Sequence, residues 1–184
     1  SFSQLADIED RVIIIDSVSK RFSACGARIG CMVCKNKEFM AQVFKIAMGR
    51  LCVPTLDMAG ATAMYKLPAD FFNSARAEYE HRRDVAYDAL MKIPGVVCQK
   101  PGGAFYITCK LPVENTEDLL LFLLNEFREN NETVMYAPAE GFYATPGLGR
   151  DELRIAYILK AEDMARGIEL LGKGIEAYKA KGGK

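Results

Sequence analysis

Ser17-Val18-Ser19-Lys20-Arg21-Phe22-Ser23-Ala24-Cys25-Gly26-Ala27-Arg28-Ile29-Gly30 follows directly on the β-branched run Arg11-Val12-Ile13-Ile14-Ile15-Asp16. That run shows no polar alternation, the pattern of a strand covered on both faces. A loop is predicted over 17–27 and a second strand over 28–34. Within the loop, a lysine has hydroxyls one and three residues before it. An arginine follows eight residues later, behind a glycine that permits a tight backbone. A lysine beside an arginine and desolvated by a cleft has its amine pKa pushed down, which suits a nucleophile or base. Two hydroxyls and a guanidinium fork form a receptor for a phosphate dianion.

Outward from this stretch, helical spacing runs over 36–50 through Phe39, Val43, Phe44 and Ala47, and a short helix is predicted over 57–66. Pro68 opens a long helix to about Ile93, with Phe72, Ala75, Tyr79, Ala86, Leu90 and Ile93 along one stripe. Beyond Pro94-Gly95 the texture changes. Short strands are predicted at Val96–Cys98 and Ala104–Thr108, around the Pro101-Gly102-Gly103 turn. Asn115 with Asp118 resembles a capping box before a helix over 116–130. Val134–Tyr136 and Leu153–Tyr157 read as strands, and a last helix runs from Ala161 to about Lys179. The tail Lys181–Lys184 reads as frayed. This β-β-α-β-β-α order is that of a compact α+β layer. The first half supplies too few strands for an independent sheet with both faces buried.

Composition narrows the function classes. The 184 residues are 50% hydrophobic, with 24 basic and 24 acidic side chains and a pI near 6.6. Such a balance argues against a nucleic-acid groove or an anionic-membrane surface. The run Leu119–Leu124 is far too short to span a bilayer. With no signal peptide at Ser1-Phe2-Ser3-Gln4, a cytoplasmic location is expected. Six cysteines are too sparse for a disulfide scaffold. Cys31-Met32-Val33-Cys34 has a C-x-x-C spacing, but His81 is the only histidine and no second such pair exists, so no metal site is expected. Cys31 and Cys34 are therefore read as buried thiols on a strand, and His81 and the Arg82-Arg83 pair as a solvated helix face. Gly147-Leu148-Gly149 reads as a turn beside Pro146.

A lysine together with a phosphate receptor is what pyridoxal 5'-phosphate (PLP) requires: an amine for its aldehyde and an anchor for its phosphate. Ser-x-Ser-Lys followed by Gly-x-Arg-Ile-Gly, from Ser17 to Gly30, resembles the cofactor-lysine signature of class I aminotransferases, the aspartate aminotransferase family of fold type I enzymes. Pro101-Gly102-Gly103-Ala104-Phe105-Tyr106 resembles the family's small-domain turn and strand. Leu153-Arg154-Ile155-Ala156-Tyr157 resembles its late strand, whose arginine grips the substrate carboxylate. The resemblance implies that Lys20 holds PLP as a Schiff base and, once displaced, moves the proton between the substrate Cα and the cofactor. It implies that Ser17, Ser19 and Arg28 bind the phosphate and that Arg154 pairs with the α-carboxylate, with Phe105 lining the pocket nearby. On the residues alone, Lys20 also reads as a surface lysine, Arg28 as a salt-bridging arginine and Arg154 as an arginine on an exposed strand face.

The implied fold is an incomplete aspartate aminotransferase-like, PLP-dependent transferase fold, an α/β large-domain remnant plus an α+β small domain. Residues 1–66 would be the end of the large domain and 67–184 the linking helix and small domain. The family's ring-nitrogen aspartate, its tyrosine and its phosphate-loop glycine precede the lysine by more than the 19 residues present here. The chain is therefore expected to correspond to about the C-terminal half of an enzyme, inactive alone, and its unpaired strand edge to promote aggregation. The complete protein would be a homodimer acting on an amino acid and a 2-oxo acid. Tyr136–Gly147 followed by Arg154 resembles a branch labelled aspartate aminotransferase, favouring aspartate and 2-oxoglutarate. Arg50 does not fall cleanly on the position that reads a second carboxylate. The alternatives are a PLP-sensing domain of a transcription regulator, a C–S lyase of the same fold, and a folded remnant without function.

Overall fold

The computed structural model describes residues 2–184. The chain divides into two compact units, one running to Ala69 and the other covering Asp70–Lys184.

In the first unit, β1 (Ile14–Ser17) pairs antiparallel with β2 (Gly30–Val33), Ile14 opposite Val33 and Ser17 opposite Gly30. Between them lie the single turn α1 (Val18–Arg21) and a 3₁₀ turn at Cys25–Ala27, where a featureless loop is predicted. A Cβ on Gly30 would sit 2.9 Å from the Asp16 carbonyl oxygen, so only glycine lets the strands close beside Ser17. α2 (Lys37–Arg50) starts at Asn36, whose side chain accepts the Phe39 N–H at 2.9 Å. α3 spans Thr55–Met64. Val18, Phe22 and Ala61 form a small core, with Ile29 and Met64 against it.

This unit corrects one expectation. The strand predicted to be covered on both faces belongs to a two-stranded ribbon, with Ile15 77% exposed. Among the described residues no third strand adds to the ladder, and a ribbon of two strands shields little of its own side chains.

The second unit takes all of α4 (Ala69–Leu90) but its first residue. Only the later part of its stripe is buried: Ala86 and Leu90 lie in the core, whereas Phe72 and Ala75 are exposed. An antiparallel sheet follows in the order β3-β4-β6-β5, from β3 (Val97–Cys98), β4 (Tyr106–Lys110), β5 (Ala137–Pro138) and β6 (Glu152–Ala156). Two-residue alternation turns Ile107, Cys109 and Leu153 into the core. Tyr106, Thr108 and Arg154 take the other face, Thr108 directly opposite Arg154. Leu119, Leu123, Met164, Ile168, Leu171 and Ile175, from α5 (Thr116–Asn125) and α6 (Ala161–Ala180), fill the core.

Several boundaries move, each for a local reason. β4 begins at Tyr106 because Ala104 has φ +59°, outside the extended region. α5 stops at Asn125 because Arg128 and Thr133 donate to the Leu123 carbonyl and Arg128 also to that of Leu124, taking up the helix's last acceptors. The strand predicted over 134–136 forms its ladder only at Ala137–Pro138. Asn115 caps α5 through the Glu117 N–H at 2.9 Å. The tail is tied down rather than frayed: the Glu114 N–H donates to the Lys184 carbonyl at 2.8 Å and the Gly183 N–H to that of Tyr178 at 3.0 Å. Among the described residues no helix is long and apolar enough to cross a membrane.

Candidate active site

Ser17 is both the last residue of β1 and the N-cap of α1, with extended φ −150° and ψ 145°. Its Oγ accepts the Ser19 N–H at 3.0 Å, and it lies 2.8 Å from Ser19 Oγ and 3.2 Å from the Ile29 carbonyl oxygen. Arg28 closes the 3₁₀ turn in the left-handed region, φ 54° and ψ 37°, and donates from Nη1 to the Cys25 carbonyl at 2.7 Å. Ser17, Ser19 and Arg28 line one cleft of about 910 Å³, together with Asp16, Gly30 and Arg50.

This donor set fits a phosphate group. Two hydroxyls and a guanidinium meet in one concavity, and the carboxylate beside them is already engaged. Asp16 accepts the Arg21 guanidinium at 2.7 Å and the Ser17 N–H at 2.8 Å. Lys20 sits on the same turn, one residue after Ser19, but is exposed and does not line the cleft.

In the second unit, Arg154 is half-buried on β6. Its guanidinium carbon lies 4.4 Å from the Tyr106 ring centroid and 4.3 Å from that of Phe142. Among the described residues no acceptor bonds its N–H groups. Phe105 packs instead on the rings of Tyr106 and Tyr79, at 4.5 and 6.1 Å between centroids. The sequence reading missed Tyr106, whose two-residue offset from Thr108 places it on the Arg154 face of the sheet. It also missed Phe142, which comes from a 3₁₀ turn over Glu140–Phe142 and has no spacing signal. Arg50 joins the phosphate-like cleft through the end of α2, again unmarked by spacing.

Cys31 is exposed and Cys34 half-buried, so neither is a buried thiol; every residue of β2, Cys31 among them, is exposed. No cluster of metal-ligating side chains exists among the described residues. Arg82 and Arg83 are half-buried rather than solvated: Arg82 donates to Glu78 at 2.6 Å and to the Ile158 carbonyl at 2.7 Å, and Arg83 to Asp84 and to the Pro101 carbonyl at 3.3 Å. They tether α4 to the loops flanking the sheet. His81 is exposed, as expected. Gly147 and Gly149, with φ +83° and +76°, shape a turn.

The profile of the family "Aminotransferase class I and II" matches residues 2–171. The chain is 32% identical over 178 residues to a probable aspartate/prephenate aminotransferase of Aquifex aeolicus, covering 96% of this chain and 43% of that protein. It is 28% identical over 189 residues to an aspartate aminotransferase of Bacillus subtilis, with 97% and 45% coverage. Among solved structures it is similar to LysN, an alpha-aminoadipate aminotransferase of Thermus thermophilus in complex with N-(5'-phosphopyridoxyl)-L-leucine. The TM-score is 0.77 at 25% identity, over 92% of this chain and 43% of that one. An aromatic aminotransferase of Pyrococcus horikoshii shares the fold at TM-score 0.81 and 23% identity, over 97% and 47%. The chain spans less than half the length of each of these relatives.

Proposed function

From the premise that the chain belongs to the aminotransferase class I and II family, we propose that it is part of a PLP-dependent transaminase that moves an amino group from an amino acid to a 2-oxo acid. The observation that carries this reading is the meeting of Ser17, Ser19 and Arg28 in one cleft, on the turn that bears Lys20. When bound, the cofactor supplies an aldehyde to receive the amino group and an electron-withdrawing ring.

The chain's own residues have distinct tasks. The Ser17 and Ser19 hydroxyls and the Arg28 guanidinium hold the phosphate. Lys20 would supply the amine that meets the cofactor's aldehyde, and as general base and then acid it would carry the proton from the substrate Cα to the cofactor's aldehyde carbon. Arg154 binds the substrate α-carboxylate through its planar N–H fork, a fit that a lysine cannot reproduce.

The unit running to Ala69 is assigned to the large, cofactor-binding domain and the unit that follows to the small domain. Aspartate is the proposed donor, on the names of the relatives in Aquifex aeolicus and Bacillus subtilis. The working enzyme is proposed to be a homodimer. The 184-residue chain alone is expected to turn over no substrate, since it spans 43% of the first relative's length.

The test is capture of the cofactor: absorbance after adding pyridoxal phosphate, then borohydride reduction and peptide mapping. An adduct at Lys20, absent in Lys20→Ala, supports the assignment. No adduct at Lys20, in this chain or in a full-length protein containing it, removes the lysine and the enzyme reading with it.

A further inference from the structure

Arg154 differs from Arg82, Arg83, Arg128 and Arg166 of its unit. Each of those donates to a carboxylate or a backbone carbonyl. Arg154 is half-buried, yet no protein acceptor among the described residues uses its N–H groups. What holds it are two aromatic rings, those of Tyr106 and Phe142, at 4.4 and 4.3 Å. A ring attracts a guanidinium through its electron-rich face and consumes none of the cation's hydrogen-bond donors. The two rings come from different elements. Tyr106 starts β4 and shares the sheet face of Arg154, whereas Phe142 ends a 3₁₀ turn ten residues before β6.

A salt bridge would hold this side chain equally well but would occupy the fork that an incoming carboxylate needs. Ring contact restrains the side chain while the fork stays available. It also lowers the side-chain freedom lost when a carboxylate docks, which costs about 0.5–1.5 kcal/mol for a mobile side chain.

We propose that Tyr106 and Phe142 are positioning residues that hold the Arg154 guanidinium ready for the carboxylate of an amino-acid substrate. This role rests on the assignment of Arg154 above. It extends that assignment by naming two residues that act through Arg154.

The experiment uses the 184-residue chain with ¹⁵N-labelled arginine and sodium acetate as the probe, titrated at constant ionic strength against sodium chloride. In the unsubstituted chain, the Arg154 Hε resonance is displaced by the ring currents and moves further as acetate binds. Phe142→Leu and Tyr106→Leu each relax that displacement and weaken acetate binding about two- to fivefold. Phe142→Tyr and Tyr106→Phe, which keep a ring, restore both readouts. Amide protection of Ile107 and Leu153 stays unchanged throughout, which separates positioning from loss of fold. Unaltered acetate binding in both leucine variants overturns the proposal while leaving the Arg154 assignment standing. An Arg154 resonance in the unsubstituted chain that acetate moves no more than chloride overturns the assignment itself, and the positioning role with it.

Discussion

The Ser17 and Ser19 hydroxyl oxygens lie 2.8 Å apart, and the Ser17 oxygen also accepts the Ser19 N–H at 3.0 Å. Ser17 therefore shapes the turn and lines the cleft, while Ser19 has only its hydroxyl to offer a ligand. Their alanine variants should separate these roles. Ser17→Ala removes the cap, costing about 1 kcal/mol, and lowers the yield of reduced cofactor adduct at Lys20. Ser19→Ala lowers the adduct yield with a stability change within about 0.5 kcal/mol. Urea midpoints and peptide mapping of the same samples read both; equal stability loss in the two variants would contradict the division.

Thr116 is the one buried polar residue of the described core, 1% exposed. Its hydroxyl lies 2.8 Å from the Glu152 carbonyl oxygen and 3.1 Å from that of Arg150, while its own carbonyl accepts the Tyr136 hydroxyl at 2.6 Å. It joins the start of α5 to β6 and to the segment before β5. Thr116→Val keeps the shape and removes the hydroxyl's bond, while the Arg150 and Glu152 carbonyls keep the Thr116 and Ala139 N–H donors, so the cost is about 1 kcal/mol. Thr116→Ser, retaining the hydroxyl, should recover most of that loss in urea denaturation.

Arg166, Glu129, Glu132, Glu169 and Lys173 form an ion network across α6 and the turn after α5. Hydrogen bonds from Lys173 and Arg166 hold the Glu169 carboxyl below its ordinary value of 4.5. A carboxyl depressed in the folded state stabilises above its unfolded value, and that contribution is lost as the pH falls through the folded one. The Tm difference between the unsubstituted chain and Glu169→Gln should thus be present at neutral pH and vanish on acidification below 4.5. It should also shrink in high salt, because these groups are exposed. A pH-independent difference would assign the effect to something other than the charge.

The cysteines should separate by burial. Cys25, Cys31 and Cys52 are exposed, whereas burial pushes the Cys109 thiol up to about 12. At pH 8 a disulfide reagent should modify the exposed three within the fast phase, with Cys109 reacting only at the rate of unfolding. Fast reaction of Cys109 in the folded chain would show that the sheet core opens locally.

Local features were legible because near neighbours decide them. Asn36 and Asn115 cap helices where their side chains reach a backbone N–H two or three residues on. The strand and helix order of the second unit follows its apolar periods. Ser17, Ser19 and Arg28 sit within one short excursion between paired strands, so sequence proximity nearly guarantees that they meet. Exposure was not legible in the same way. The run through Ile13–Ile15 has the composition of a buried strand, but burial depends on which elements lie over it, and here β2 alone pairs with β1.

The sequence by itself marked the candidate site residues and determined where most elements lie, since capping, backbone preference and period act over a few residues. Only the tertiary structure decided what surrounds them. It put Lys20 on the outside of its turn, tied the chain's end to Glu114, recruited Arg50 to the cleft and set two rings against Arg154. Those outcomes depend on contacts between segments distant in the chain, whose closure is set by how whole faces pack rather than by any local spacing.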